Sequence, residues 1–351
     1  MRKEDSKVLI LTEGGKDIGL GHITRCISLC QALGERNIIP ELIINGKGEV
    51  SDLLKNWKFR IFDWIKLKDK AFKIIAESDI VICDSFLADI SFYESLSNLV
   101  KTPVYIDDNK RLDYPRGTVV NVSIYSEEFD YPEKEGITYL LGTKYTILRK
   151  EFWNIPEKKI KSDVESIMVT FGGDDRENIT PGIMKFLKEK YGEYTKNIVV
   201  GRGFGCKRTI EGLKDEKTNL IYDPGAEEMK KVMLESDIAV SAGGQTLYEL
   251  ARIGVPVVGV AAAENQLKNL YGWKRAGFLE YAGKHNDKDI FENISHAFGN
   301  ILPYLERLKR SKIGRDTIDG KGAARLCRFL LEKPEDKWEF TKRRRVKIEN
   351  N

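Results

Sequence analysis

The sequence predicts an α/β protein made of two Rossmann-like, doubly wound domains that face a central cleft. Strand and helix patterns alternate along the 351 residues, which is typical of parallel sheets covered by helices on both faces. The pattern also repeats, because Gly172 follows Gly14 and Ser236 follows Ser78 at the same separation of 158 residues. Glycine-rich turns come after several strands, at the carboxyl ends where such folds bind ligands.

In the first half, short apolar runs alternate with segments that are apolar at helical spacing. The predicted strands are Lys7–Thr12, Ile38–Ile44, Phe59–Phe62, Asp79–Cys83, Pro103–Asp107 and Val119–Ser123, of which the last closes the run. The predicted helices are Thr24–Arg36, Glu49–Asn56, Lys68–Glu77 and Ser91–Val100. This order predicts a parallel sheet with crossover helices.

The pattern is interrupted at Arg149–Asp163 and then starts again at Ser166–Gly173. We therefore expect a domain over residues 1–150, a linker over 151–163 and a second domain over 164–336. Residues 337–351 form a basic tail. Helical patterns at Ile290–Leu302 and Ala323–Glu332 close the second half.

Composition excludes several classes of protein. The formal net charge is +4, and the tail alone carries this excess, so the body gives no charge signal for nucleic acid. The tail is predicted either to contact an anionic surface or to be a solvated end. No apolar run of about 20 residues is present, and the polar N-terminus favours a cytoplasmic protein. The five cysteines lack the spacing of zinc ligands and are predicted to be reduced and buried, so no metal is expected.

The first candidate site is the turn that contains Gly19, Gly21 and His22. A glycine-rich turn lets a ligand approach the backbone, and a helix start offers free N–H groups. The positive end of the helix dipole disfavours the imidazolium, so His22 is predicted to be neutral and able to act as a general base. The alternative is that His22 only caps the helix or bonds a loop. Asp84 and Asp107 end two strands, where they could bind sugar hydroxyls, orient His22 or cap turns.

The second half contributes the predicted nucleotide site. Its strongest signal is a buried strand followed by Gly243, Gly244, Gln245 and Thr246, because small residues at a helix start suit a diphosphate. Glu249, one turn into the helix, could accept the two hydroxyls of a ribose or simply favour the helix start. Gly172 and Gly173 form the equivalent turn of the repeat, and Glu264, Asn265 and Gln266 follow the next strand.

These motifs together resemble the UDP-sugar hydrolase family of pseudaminic acid biosynthesis, which includes spore-coat polysaccharide proteins and has a fold similar to GT-B glycosyltransferases. The resemblance is carried by Ile18–Cys26, Asp84–Phe86, Ile106–Asp108 and Leu141–Arg149, and in the second half by Thr170–Asp175, Gly243–Glu249 and Glu264–Gln266. It implies hydrolysis of a nucleotide sugar, with water attacking the anomeric carbon, UDP leaving and no cofactor or essential metal. His22 corresponds to the catalytic histidine, and Arg25 lies in the same motif as a substrate-binding residue. The family usually has Arg-x-Asp where this chain has Thr12–Gly15, and Ser where it has Gln245.

Three functions remain open from the sequence. A hydrolase and a GT-B glycosyltransferase would share the same cleft and differ only in whether water or an alcohol attacks. A binding protein without catalysis is the third, although the intact pair Gly21-His22 speaks against it. An apolar or basic membrane-facing patch on the first half would favour transfer to a lipid acceptor.

Overall fold

The computed structural model describes residues 6–15, 19–46 and 50–332. The basic tail 337–351 lies outside the described residues, as do 333–336 of the predicted second domain. The contact of the basic tail with an anionic surface therefore stays a prediction.

Seven strands form the first sheet. They are β1 (Val8–Glu13), β2 (Glu41–Asn45), β3 (Lys58–Ile61), β4 (Ile80–Asp84), β5 (Thr102–Ile106), β6 (Gly117–Asn121) and β7 (Ile137–Leu141). All pair in parallel, in the spatial order β3-β2-β1-β4-β5-β6-β7. The chain therefore winds in opposite directions on the two sides of the β1–β4 pair, and ligands of such sheets bind at the carboxyl ends beside that reversal.

The prediction that Val119–Ser123 closes the first sheet is wrong, because β7 follows it. β7 is an edge strand, and most of its residues are only half-buried. It therefore lacks the continuous apolar run of a central parallel strand, which is the pattern that identified the others.

The first sheet is covered by α1 (Gly21–Gly34), α2 (Ser51–Leu54), α3 (Lys68–Ile75) and α4 (Ile90–Leu99). Successive side chains of β1 point to opposite faces, as in any strand. Ile10 packs into one core together with Leu29 of α1, whereas Leu9 and Leu11 pack into the other.

The second sheet repeats this architecture with six parallel strands. They are β8 (Ser166–Thr170), β9 (Thr195–Val200), β10 (Thr218–Tyr222), β11 (Ile238–Ser241), β12 (Val257–Ala261) and β13 (Leu279–Lys284). Their spatial order is β10-β9-β8-β11-β12-β13. The reversal therefore lies between β8 and β11, which are the repeats of β1 and β4. The predicted doubling of the fold is confirmed.

The second half contains eight helices among the described residues. They are α5 (Ile179–Lys190), α6 (Lys207–Leu213), α7 (Ala226–Glu235), α8 (Thr246–Ile253), α9 (Leu267–Arg275), α10 (Ile290–Ile301), α11 (Tyr304–Thr317) and α12 (Gly322–Leu331). The sequence division counts α12 with the second domain. In the structure, Leu326 and Cys327 of α12 are instead buried in the core that α1 forms on the first sheet. The chain thus returns to its first domain before it ends its described part.

The predicted linker is docked rather than free. Phe152 is buried in the same cluster as Met168 of β8. The guanidinium of Arg252, on α8, donates to the carbonyl oxygens of Phe152 and Trp153 at 3.0 and 2.7 Å. The connection therefore fixes one side of the cleft between the sheets. Within the described residues, no helix has the length and apolar character needed to cross a bilayer.

Candidate active site

The turn after β1 leads directly into α1. Gly15 and Gly19 exchange two backbone hydrogen bonds, with N–O distances of 3.1 and 2.7 Å. Gly19 has φ +85°, a left-handed conformation that glycine adopts without strain. This tight closure starts α1 at Gly21 and places His22 and Arg25 on its first turns.

His22 is held by Asp84 at the end of β4. Its Nδ1 lies 2.6 Å from Oδ1 of Asp84, and this contact exists because β4 pairs with β1, opposing Asp84 to Thr12. Among the described residues, the hydrogen-bonding contacts of the His22 ring are with the side chains of Asp84 and Arg25, not with a backbone N–H at the helix start. With Nδ1–H donated to the carboxylate, Nε2 carries the lone pair. The arrangement is therefore that of an oriented base, and Asp84 is its positioning residue.

Arg25 locks the same carboxylate. It donates from Nε to Oδ2 of Asp84 at 2.9 Å and from a terminal nitrogen to Oδ1 at 2.7 Å. Its other terminal nitrogen donates to Asp108 at 2.7 Å. Arg25 is buried, so this fork holds Asp84 in one orientation. Arg25 is thus committed to protein carboxylates rather than turned to an open surface.

The charges in this cluster set the protonation of His22. Burial lowers the pKa of His22, but the attraction and hydrogen bond of Asp84 outweigh burial, so the pKa is raised above its usual 6.5. Burial likewise raises the pKa of Asp84, but Arg25 and His22 together hold it well below its usual range. The sequence predicts that the helix dipole disfavours the imidazolium, whereas the net effect of these groups is to favour it. A carboxylate at 2.6 Å has a stronger effect than a dipole end.

Asp107 lies outside the cluster. Its Oδ1 accepts the backbone N–H groups of Asn109 and Arg111, both at 3.2 Å, and its Oδ2 accepts the hydroxyl of Tyr131 at 2.7 Å. These contacts of Asp107 organise the turn, and its role in substrate binding stays a prediction. The neighbouring Asp108, which follows the same strand and belongs to the motif Ile106–Asp108, is the residue that reaches Arg25.

A second buried carboxylate was also missed. Glu13 ends β1 with no exposed surface and accepts the hydroxyl of Ser85 and, at 2.6 Å, the N–H of Phe86. The ring of Phe86 meets the imidazole of His22 edge-on at 4.8 Å between centroids. Glu13 therefore positions the wall beside the base. The signal that could have located it is its place at the end of a central strand.

On the second sheet, Gly172 and Gly173 form the turn after β8. Gly172 has φ +81°, and both glycines are exposed. Asp175 caps the next helix by accepting the N–H groups of Ile179 and Thr180, at 3.0 and 2.9 Å. The turn therefore exposes backbone after β8, and its role in nucleotide binding stays a prediction.

The loop before α8 is pinned from two sides. The side-chain oxygen of Gln266 accepts the N–H of Gly243 at 3.3 Å and that of Ala262 at 3.0 Å. The amide of Gln245 donates to the carbonyl oxygen of Ile147, at 3.1 Å, which ties the loop to the interdomain connection. Gly244 is exposed, and no neighbouring atom lies within 4 Å of where a Cβ would be. Thr246 begins α8, and the N–H groups of Leu247 and Tyr248 donate to the carbonyl oxygens of Gly244 and Gln245, at 3.1 and 3.0 Å.

Glu249 has a partner that the sequence analysis did not predict. Its two carboxylate oxygens accept from Nε and a terminal nitrogen of Arg149, at 2.7 and 2.8 Å. Glu249 is 4% exposed. Each oxygen retains a second lone pair, so a ribose diol can still be accepted beside the guanidinium. Arg149 ends the segment 141–149, to which no role was given.

The remaining predicted residues behave differently from one another. Gln266 holds the loop before α8 through the hydrogen bonds from Gly243 and Ala262. Glu264 forms an ion pair with Lys284, and Asn265 is exposed. No group of three or more metal-binding side chains occurs in the described parts of the chain. Of the five free cysteines, all but Cys206 are buried.

No family model matches the chain. It is 27% identical over 271 residues to the uncharacterized protein MJ1062 of Methanocaldococcus jannaschii, covering 72% of this chain and 55% of that protein. It is 23% identical to the spore coat polysaccharide biosynthesis protein SpsG of Bacillus subtilis, covering 92% and 97%. It is 21% identical to the Helicobacter pylori pseudaminic acid cytidylyltransferase and UDP-2,4-diacetamido-2,4,6-trideoxy-beta-L-altropyranose hydrolase, covering 83% and 52%. The chain thus spans about half the length of the first and third.

The solved structures give the fold. Acinetobacter baumannii MurG superposes with a TM-score of 0.68 at 15% identity, covering 92% of this chain and 99% of that one. The calicheamicin glycosyltransferase CalG4 gives 0.61 at 12%, covering 93% and 97%. Staphylococcus aureus MnaA with UDP gives 0.60 at 13%, covering 91% and 94%. The protein therefore has a GT-B-like architecture of two Rossmann-like domains.

Proposed function

We propose that the protein hydrolyses a nucleotide sugar, with UDP as the leaving nucleotide, in the synthesis of surface or capsular polysaccharide sugars. The observation that carries the proposal is the His22–Asp84 contact at the β1–β4 reversal, because it makes an oriented base at the ligand-binding edge of the sheet. The relatives named for spore coat polysaccharide biosynthesis and for a UDP-sugar hydrolase support the substrate class.

The reaction can be written with these residues. Nε2 of neutral His22 takes a proton from water as the water oxygen bonds to the anomeric carbon. The bond from that carbon to the diphosphate oxygen breaks with inversion, and the electron pair leaves with UDP. N–H groups at the start of α8, beside Gly244, stabilise the diphosphate. Asp84 stabilises the imidazolium that forms, and Arg25 keeps Asp84 ionised.

The substrate proposal is tested by following nucleotide release from UDP-, CMP- and GDP-sugars in the absence of any acceptor. We expect release of UDP together with free sugar. Since His22 supplies the base, His22→Ala is expected to lower kcat by about 10²–10⁴-fold and to leave UDP affinity within about twofold. His296→Ala is the matched control, because that histidine is exposed on α10 and its ring contacts the side chain of Asn300, one turn away on the same helix. Full turnover of the His22 variant contradicts the mechanism.

Glycosyl transfer is the second candidate, and one observation favours it. Leu20, Phe86 and Leu87 are 41–51% exposed. Leu20 lies two positions before His22, the ring of Phe86 contacts the imidazole of His22, and Leu87 follows Phe86 in the chain. An apolar acceptor could lie on these side chains, and its hydroxyl would replace water. Nucleotide release that requires an added long-chain alcohol or lipid acceptor identifies transfer, whereas release in buffer identifies hydrolysis.

A further inference from the structure

A pocket of about 860 Å³ lies between the two domains and is not used by the proposed mechanism. One wall is the exposed face of α9, formed by Lys268, Tyr271, Lys274 and Arg275. The other wall comes from the segment after β6, with Tyr125, Glu128 and Phe129. Pockets of 300–1,000 Å³ are the size that holds small-molecule ligands.

The charges of this pocket are unbalanced. Three cations and one carboxylate line it, and the carboxylate of Glu128 is paired with Arg275. Lys268 lies over the ring of Phe129, with Nζ 5.0 Å from the centroid. Within the described part of the chain, neither Lys268 nor Lys274 has an ion pair with a carboxylate. Two ammonium groups therefore remain available for an anion.

The aromatic rings are held by packing against other rings. Tyr125 meets Phe129 edge-on with centroids 5.6 Å apart, and Tyr271 meets Tyr281 edge-on at 5.0 Å. Tyr125 also donates its hydroxyl to the carbonyl oxygen of Asp108 at 3.2 Å. Fixed rings with hydroxyl groups provide apolar faces for the C–H groups of a sugar and polar edges for its hydroxyls.

The two walls belong to different domains that are already in contact here. Ile124 donates its N–H to the hydroxyl of Tyr248, at 3.2 Å, and this hydroxyl donates to Asn269 at 2.7 Å. Asn269 in turn donates to the carbonyl oxygen of Gly243 at 2.7 Å. A ligand in the pocket would therefore touch both domains beside the loop proposed for the diphosphate.

We propose that this pocket is a second ligand site, which binds a phosphorylated or carboxylated sugar between the domains while the nucleotide occupies the loops before α5 and α8. Lys268 and Lys274 bind the anionic group, and the rings of Tyr125 and Tyr271 contact the sugar. The site is separate from the His22 chemistry, so its test does not depend on turnover.

The test is calorimetric titration of the full chain, saturated with UDP, with glucose 6-phosphate, glucuronic acid and glucose. We expect both anionic sugars to bind and glucose to bind at least tenfold more weakly. The double variant Lys268→Ala/Lys274→Ala is expected to weaken anionic binding at least tenfold. Lys185→Ala, on the exposed surface of α5, is expected to change it less than twofold. His22→Ala should leave it unchanged.

Several results would overturn the proposal. They are no binding of either anionic sugar, unchanged binding by the double variant, and binding only when UDP is absent, which would make the pocket part of the nucleotide site. Inorganic phosphate that binds as tightly as glucose 6-phosphate would remove the role of the rings. Thermal melting of each variant checks folding, and the exposed lysines are expected to leave it unchanged.

Discussion

At the proposed base, two residues of α1 share one carboxylate that comes from a distant part of the sequence. His22 and Arg25 lie on α1, and Asp84 accepts hydrogen bonds from both at the end of β4. The guanidinium keeps the carboxylate charged, and the carboxylate in turn raises the pKa of the imidazole. A general base works best when its pKa is near the working pH, so we expect this balance to set the pH dependence of the proposed reaction.

Replacing Asp84 tests this balance. His22 must be neutral to accept a proton, and its pKa is raised in the folded protein, so activity should increase as the pH rises through that raised value. In Asp84→Asn the pKa of His22 falls, so the rising limb of the pH profile should move to lower pH. Loss of orientation should lower kcat by about 10²–10⁴-fold. The measurement is kcat/KM against pH.

The exposed pair of Asp113 with Lys134 supplies the control. Asp113→Asn should leave both the rate and the profile unchanged, because exposed ion pairs contribute little. If Asp84→Asn lowers the rate without moving the limb, Asp84 does not set the protonation of His22.

Glu249 tests the nucleotide site. If its free lone pairs accept the ribose diol, Glu249→Gln should weaken UDP binding about tenfold and abolish the preference for UDP over 2′-deoxy-UDP, since each hydrogen bond to a charged group is worth about 1.5–3 kcal/mol. Glu280→Gln, which disturbs the comparable Arg310 pair, should leave UDP affinity unchanged. Equal loss in both variants would point to general destabilisation.

At the scale of elements, α12 returns the described part of the chain to the first domain. It leaves the second domain and buries Leu326 against the first sheet's core. Its first residue, Gly322, packs so closely that a Cβ there would lie 2.2 Å from the carbonyl oxygen of Thr146. Backbone cannot yield as a flexible side chain can, so this glycine is needed for the docking of α12.

The docking of α12 predicts opposite effects for two alanine substitutions. Gly322→Ala should lower the free energy of unfolding by about 1–3 kcal/mol, the usual cost of overpacking. Gly299→Ala, inside α10 with no atom within 4 Å of the added Cβ, should raise it by about 0.5–1 kcal/mol because alanine favours helix. Urea denaturation followed by circular dichroism measures both. A stabilising Gly322→Ala would show that α12 is not docked as described.

At the scale of the whole molecule, the domains meet through a short polar relay. The hydroxyl of Tyr248 accepts from Ile124 of the first domain and donates to Asn269 of the second. The two domains also pack closely at Gly272, because a Cβ added there would lie 2.6 Å from Cγ2 of Ile124. This contact is therefore one of those that set the relative placement of the two proposed half-sites.

Removing the hydroxyl of Tyr248 should weaken the contact between the two domains. Tyr248→Phe leaves the N–H of Ile124 without its acceptor, which costs about 1–3 kcal/mol. We expect KM for the nucleotide sugar to rise about fivefold to tenfold and the radius of gyration from X-ray scattering to increase. Tyr222→Phe, which loses one exposed bond to Glu211, is the control and should change neither. Unchanged KM and scattering in Tyr248→Phe would show that the relay does not hold the domains.

Sequence alone predicted the α/β class, the doubled domain, the glycine turns and His22, because these depend on periodicity and on residues next to one another. Periodicity does not encode which strands are neighbours. Only the tertiary structure brings Asp84 to His22 across 62 residues and Arg149 to Glu249 across 100. The same limit explains why the sequence assigned Asp107 to the site and α12 to the second domain. The order of strands in the sheet determines which side chains meet at the carboxyl ends of the strands, and that order depends on long-range packing.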